Sequence, residues 1–331
     1  MIRRLRRTTL LLTLGTVLTA IPPAQAGEIV AWGLNPFGVV TGAPTGDDFT
    51  AVAAGSANAY ALRADGSIVA WGNYDGNGQI SDAPTGTGFT AIAAADLVAF
   101  ALDADGAITA WGYDGYDQVG DAPSGTGFAA LAASKYAAFA LDADGSIVAW
   151  GDDRYGQLTG APTESGFTAV VASEYAAFAL RADGSIVAWG DDSYGHLTGA
   201  PTASGFTAIA SGLYAAFALR ADGSIVAWDI DYFNQISGAP TESGFTAVVG
   251  GDGNGYALRA DGSIAAWGWD GGDAISGTPT GSGFTTLAAS GATAFALRDG
   301  PTAVPEPAAA AMLALGAAVV AVATRRRRPA G

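Results

Sequence analysis

Small apolar side chains arrive along this chain in short bursts, separated by clusters of glycine, aspartate, proline and serine. In the most regular stretch the bursts cover Phe167 to Ala172, Ala176 to Leu180 and Ser185 to Trp189. Apolar runs of about 4 to 8 residues bounded by turn formers predict strands, because a helix shows its period over about 10 residues or more. No stretch between Gly27 and Gly300 carries that longer period, so the pattern predicts an all-β fold. Asp183-Gly184, between the second and third runs, predicts a tight hairpin turn with positive φ.

The burst pattern repeats. Tryptophan stands at Trp32, Trp71, Trp111, Trp150, Trp189, Trp228 and Trp267, every 39 residues with one interval of 40. The extra residue falls between Trp71 and Pro84, in the connection that follows each Trp. A period of this size marks a propeller, a solenoid or an array, in which no unit buries its apolar face alone. The ends discriminate among them: the regular part opens with only the third strand of a unit, Glu28 to Gly33, and closes with only the first two, Phe284 to Gly300. These fragments complement one another, whereas an open solenoid needs polar capping units. The sequence therefore predicts a seven-bladed β-propeller over 27–300, closed by the N-terminal strand docking beside Ala294 to Leu297. Alanine-rich first strands suit a crowded axis. Tyr60, Phe100, Phe139, Phe178, Phe217, Tyr256 and Phe295, with the seven tryptophans, are the expected filling between blades.

The strings IVAWG, YGQL (Tyr155 to Leu158), GAPT, GFTAV and FALRADG recur in fixed order. They resemble the regulator of chromosome condensation repeat family and, in repeat pattern, its β-lactamase inhibitor protein II group. That resemblance implies a seven-bladed propeller whose relatives act as nucleotide-exchange factors, β-lactamase inhibitors or other binding scaffolds. The chain departs from the family pattern at Ala176-Ala177, where a His-Ser pair is frequent, and at Asp229, where glycine follows Trp.

Both ends carry targeting patterns. Residues 1–26 have an arginine-rich start, an apolar run from Leu10 to Ile21, and Ala24-Gln25-Ala26, the small-residue pattern of a secretory signal cleaved after Ala26. At the other end a linker over 301–307 contains Pro305-Glu306-Pro307, an apolar segment over 308–324 is just long enough for a transmembrane helix, and a basic tail over 325–331 stays cytoplasmic by the positive-inside rule. This order resembles a PEP-CTERM sorting signal of Gram-negative bacteria, which implies an exosortase-like protease as partner and a destination at the cell surface or in the extracellular matrix. A simple membrane anchor is the alternative.

Between Gly27 and Val304 there are 7 basic and 30 acidic residues, a net charge near −23. Phosphate binding needs positive charge, so nucleic acid is excluded as a partner. The chain has no cysteine, and its one histidine, His196, takes the place of Gln157 and Gln235 in neighbouring repeats, a polar loop substitute. Thiol or Ser-His catalysis and a Cys/His zinc site thus have no residues to build on, and no cofactor is implied. Asp229-x-Asp231 and Asp75-x-Asn77 offer hard oxygen ligands for calcium, without a complete loop motif.

The connection after each Trp is the longest and most variable part of the repeat, and a ring gathers all its copies on one face. The candidate partner-binding residues there are Tyr74, Asp152, Asp153, Asp191, Asp192, Asp229, Asp231 and Trp269. Aromatic rings beside carboxylates suit sugar rings or a basic protein surface. Tyr155 and its equivalents five positions after Trp have a second reading, locking the loop onto its blade. The leading expectation is an exported, non-catalytic scaffold that binds extracellular polysaccharide or an envelope protein. The alternatives are a secreted protein inhibitor and an enzyme acting on polysaccharide.

Overall fold

In the computed structural model, which describes residues 26–299, each repeat folds into three antiparallel strands. Numbered along the chain, β1 (Gly27–Gly33) precedes a first unit of β2 (Phe49–Ala54), β3 (Asn58–Arg63) and β4 (Ile68–Gly72). The next units are β5 (Phe89–Ala95), β6 (Val98–Asp103) and β7 (Ile108–Gly112), then β8 (Phe128–Ala133), β9 (Ala137–Asp142) and β10 (Ile147–Gly151). They are followed by β11 (Phe167–Ala172), β12 (Ala176–Arg181) and β13 (Ile186–Gly190), and by β14 (Phe206–Ser211), β15 (Ala215–Arg220) and β16 (Ile225–Asp229). Last come β17 (Phe245–Gly250), β18 (Asn254–Arg259) and β19 (Ile264–Gly268), then the pair β20 (Phe284–Ser290) and β21 (Thr293–Asp299). The all-β expectation holds among the described residues: the one helical element is a 3₁₀ turn at Gly271–Asp273. The fold is a repeat propeller of three-stranded sheets.

The expected leader up to Gln25, Gly300, the linker with Pro305-Glu306-Pro307, the apolar segment over 308–324 and the tail over 325–331 lie outside the described residues. Among the described residues no helix is long and apolar enough to cross a membrane.

The Asp-Gly turn differs from expectation in detail. Asp183 does not adopt positive φ; only Gly184 does, at +77°. Arg181 N–H donates to Ser185 C=O and Gly184 N–H to Arg181 C=O, so the loop holds three residues and ends in a glycine bulge. The Asp183 carboxylate accepts the Ser185 N–H at 2.9 Å. Gly184 is required for a second reason. A Cβ there would stand 2.5 Å from the Phe206 backbone of the next unit, whose N–H donates to Gly184 C=O.

Tryptophan joins each unit to the one before it. The Trp150 ring meets Phe100 edge-on at 5.6 Å, and its indole N–H donates to Gln118 C=O at 2.8 Å. The same two contacts recur in Trp189 with Phe139 and Gln157, and in Trp228 with Phe178 and His196. They recur too across the chain ends: Trp32 packs on Tyr256 and donates to Ala274 C=O, while Trp71 packs on Phe295 and donates to Val39 C=O. These tryptophans and their partner rings are buried, and each pair lies in a separate apolar cluster between two units. The expected filling between units is the one observed.

β1 pairs antiparallel with β21 along its whole length, from Gly27 opposite Asp299 to Gly33 opposite Thr293. Arg298 and Glu28 form an ion pair across this seam. Each inner strand also contacts the inner strand of the next unit, in the order β2, β5, β8, β11, β14, β17, β20, and β20 contacts β2. Their last residues, with the turns that follow, line an axial cavity of about 590 Å³. Alanine is the commonest residue of its walls, as at Ala94, Ala133 and Ala172, which suits the crowding where the inner strands converge.

Deleting Glu28 to Gly33 removes the partner of β21 and the Trp32 wedge together. The expected result is a loss of stability of at least about 3 to 5 kcal/mol and self-association through the bared edge. Thermal melting with light scattering checks this; an unchanged melting temperature and a monomer count against it.

Candidate functional site

In the connections after Trp111 and Trp150 the loop is clamped at three points. Three positions beyond Trp150, the Asp153 carboxylate accepts the N–H groups of Leu158 and Thr159 at 2.6 and 3.1 Å. Asp192 does the same for Leu197 and Thr198, Asp231 for Ile236 and Ser237, and Asp270 for Ile275 and Ser276. Asp75 takes Ile80 and Ser81. Next comes a buried amide. Gln118 Nε2 donates to Ser134 C=O and Gln157 Nε2 to Glu174 C=O, which ties the loop to the inner turn of the following unit. The third clamp is the Trp indole on the Gln carbonyl.

These clamps decide where the candidate residues stand. Asp153, Asp192 and Asp231 spend carboxylate oxygens on their own loops. Asp229 is turned away from solvent: its side chain is 1% exposed and faces the equally buried His196 ring through Nδ1. His196 therefore stands where Gln157 and Gln235 are buried, not on a solvent-facing loop. Asp229 holds φ at +103°, at a position occupied by Gly151, Gly190 and Gly268 in other units with φ from +101° to +110°. Asp229 and Asp231 thus have separate partners, and the Asp75 carboxylate is taken up by its own loop. Among the described residues no group of three or more His, Asp or Glu side chains gathers to hold a metal ion.

Asp231 is exposed even so, and Asp152, Asp191, Tyr74 and Trp269 also reach the surface. The Asp152 carboxylate accepts the Arg154 guanidinium at 2.5 and 3.1 Å. Asp191 accepts the Ser193 N–H at 2.5 Å. The Tyr74 ring meets Phe37 edge-on at 6.5 Å. Trp269, 43% exposed, leans on Phe233 at 5.7 Å.

Buried Tyr136 and half-buried Tyr175 and Tyr214, which sequence reasoning missed, pack beneath this surface. They sit in the turns between inner and middle strands, beside cavity-lining Lys135, Glu174 and Leu213. Interleaved with loop tyrosines they make an arc of rings packed edge-on or tilted: Tyr113 to Tyr116 at 5.6 Å, Tyr116 to Tyr136 at 4.8 Å, Tyr136 to Tyr155 at 5.4 Å, Tyr155 to Tyr175 at 5.0 Å and Tyr175 to Tyr194 at 5.2 Å. A second segment runs from Tyr214 to Tyr232 and Phe233, and on to Trp269. Where a fourth turn tyrosine would fall the chain has Gly253, and a Cβ there would stand 2.9 Å from the Phe233 ring, so Phe233 and Trp269 take that space. The only signal for the turn tyrosines is a recurrence at 39 residues in three units, too short to separate from loop variation. Tyr155 packs between Tyr136 and Tyr175, which holds its loop against the turns of two units.

Charge rims the arc. Lys135 pairs with Glu174 at 3.4 Å. Burial raises the Asp252 carboxyl above the usual range, and Glu174 nearby adds to it. Burial, then Glu174, pushes the Tyr175 phenol up to about 12. The backbone amides of Thr198 and Leu197 hold the Asp192 carboxyl below its ordinary value, and those of Ser276 and Ile275 act likewise on Asp270.

Two stretches of the chain, residues 49–79 and 128–157, match the regulator of chromosome condensation (RCC1) repeat. Solved structures share the fold at low identity. Prp20p from Saccharomyces cerevisiae, in a structure reported with its binding properties to Gsp1p and histones, is 16% identical over 88% of this chain and 95% of its own, with a TM-score of 0.66. Yeast RCC1 (Prp20) bound to Kap60 is 17% identical over 87% and 92%, with a TM-score of 0.68. The ectodomain of the Arabidopsis thaliana receptor kinase ACR4 is 20% identical over 74% and 91%, with a TM-score of 0.61. No curated protein sequence matches the chain. The fold is that of an RCC1-type repeat propeller.

Two outcomes follow from the clamps. The depressed carboxyls of Asp192 and Asp270 add stability that is complete above the ordinary aspartate value of 3.8 and is lost as pH falls through their lower folded values. Melting temperature should therefore decline below about pH 4, and Asp192→Asn should flatten that decline while lowering the plateau. His196→Gln leaves Asp229 buried without its partner and should cost about 3 to 5 kcal/mol. Adding Asp229→Gly restores the Gln157 and Gly190 arrangement and should recover the loss, which denaturation of the single and double variants measures.

Proposed function

We propose that this chain is an exported, non-catalytic propeller, seven-bladed and closed by its N-terminal strand, that holds a partner protein of the cell envelope against the arc. The observation that carries the reading is the continuous run of rings from Tyr113 to Tyr194. Tyrosine presents a large, stiff contact surface at low entropic cost and is enriched where proteins meet. The arc's members come from alternate loops and turns, so core packing of one unit does not require them to be tyrosine. Protein partners of the same fold, such as Kap60 on yeast RCC1, support a protein over another ligand. Export rests on the leader and the PEP-CTERM-like end, and the absence of catalysis on a lone histidine already paired with Asp229.

The test is capture by the purified chain of envelope proteins on one side and cell-surface polysaccharide on the other. The variant is Tyr194→Ala with Trp269→Ala, two rings exposed enough to leave the fold intact. Saturable binding of one protein, weakened about 30-fold or more in the variant, is the expected result. Saturable sugar binding would move the assignment to a matrix role, and unchanged protein binding by the variant would remove the arc from it.

A further inference from the structure

Two successive units offer the same small cradle of two tyrosines and an aspartate and fill it differently, while a third unit has Ile230 in place of the aspartate. In the first, the Arg154 guanidinium lies over the rings of Tyr136 and Tyr116 at 4.4 and 4.9 Å and is bound by Asp152. A cation within about 6 Å of an aromatic face gains cation–π attraction, and the carboxylate fixes its direction. One unit on, Tyr175 and Tyr155 stand at 5.0 Å where Tyr136 and Tyr116 stand at 4.8 Å, and Asp191 takes the place of Asp152. The residue at the place of Arg154 is Ser193, which is exposed and too short to reach the rings. In the third unit Tyr232 takes that place and packs edge-on to Tyr214 at 5.8 Å.

The charge differs in the same sense. Beside Tyr136 the first cradle has Lys135, whose ammonium lies 5.3 Å from that ring, whereas beside Tyr175 the corresponding residue is Glu174. The first cradle supplies its own cations; the middle one has two acids and none of its own except the ammonium that Lys135 extends to Glu174. Asp191 keeps one carboxylate oxygen without a hydrogen bond from the chain, since Ser193 N–H uses only Oδ1.

We propose that the middle cradle of Tyr155, Tyr175 and Asp191 receives an arginine side chain of the partner protein, held as the chain holds its own Arg154. This rests on the arc being the binding face and names the chemistry of its central contact. A planar guanidinium lies flat on the rings while its edge donates two parallel hydrogen bonds to Asp191; an ammonium is a point charge with neither the flat face nor the fork. The basic segment that carries it is complementary to an acidic surface.

The probe is a hexa-arginine peptide titrated into the full chain at about 0.15 M salt, where long-range attraction is screened, with hexa-lysine beside it. Ser193→Arg fills the cradle from within and should weaken the arginine peptide about tenfold while keeping the melting temperature. Thr163→Arg adds the same charge in the connection before β11, at the end of that strand away from the arc, and should leave binding within about twofold, as expected for a screened surface charge. Asp191→Asn should weaken arginine more than lysine. Equal losses for the two arginine variants, or no preference for arginine, would overturn the cradle. If the captured envelope protein then still depends on Tyr194 and Trp269 yet ignores Ser193→Arg, the cradle assignment fails and the binding face stands; if neither holds, both fail.

Discussion

Everything in this molecule leans on one interlock: an indole set edge-on against an aromatic ring of the preceding unit while its N–H closes on a carbonyl of that unit's loop. A three-stranded sheet of alanines and valines has too little apolar area to fold alone, so each unit is stable only when wedged against its neighbours. The two halves of the contact act differently. Ring packing supplies burial, without direction. The hydrogen bond, from Trp150 to Gln118 C=O for example, fixes where the loop lies, because a buried indole N–H left without an acceptor is costly.

From that fixed carbonyl the binding face follows. Gln118 and Gln157 reach the next unit's turn, and the aspartates Asp114 and Asp153 each gather two backbone N–H groups of their own loops. With these positions committed, the second, fourth and fifth positions after Trp are free to vary: Asp152, Arg154 and Tyr155 in one unit, Asp191, Ser193 and Tyr194 in the next, Ile230, Tyr232 and Phe233 after that. The rigid and the variable parts of one loop are separated by which backbone groups need partners.

His196 and Asp229 show the interlock bent rather than broken. A carboxylate where other units need glycine costs about 1 to 3 kcal/mol of backbone strain, and its burial costs more. The histidine in the glutamine site gives that carboxylate a partner. In the sequence these are two unrelated departures, 33 residues apart; in the fold they are one contact.

The strands of the repeat were legible because they depend on local pattern: β11 spans the residues its apolar burst marked, and β12 and β13 differ from theirs by single residues at the ends. The tryptophan spacing likewise disclosed the repeat, and the recurring aromatics disclosed the filling. The clamping role of the loop aspartates was not legible, since nothing in a sequence window shows that residues five and six positions ahead turn their N–H groups back toward them. The turn tyrosines were passed over because their worth lies in neighbours from the adjacent unit. Amino-acid order by itself determined strands, repeat and core, which follow from short-range periodicity and burial. Only tertiary structure decided the arc, the paired histidine and the open cradle, because sheets wedged side by side bring loop and turn into contact across a boundary that no local pattern spans.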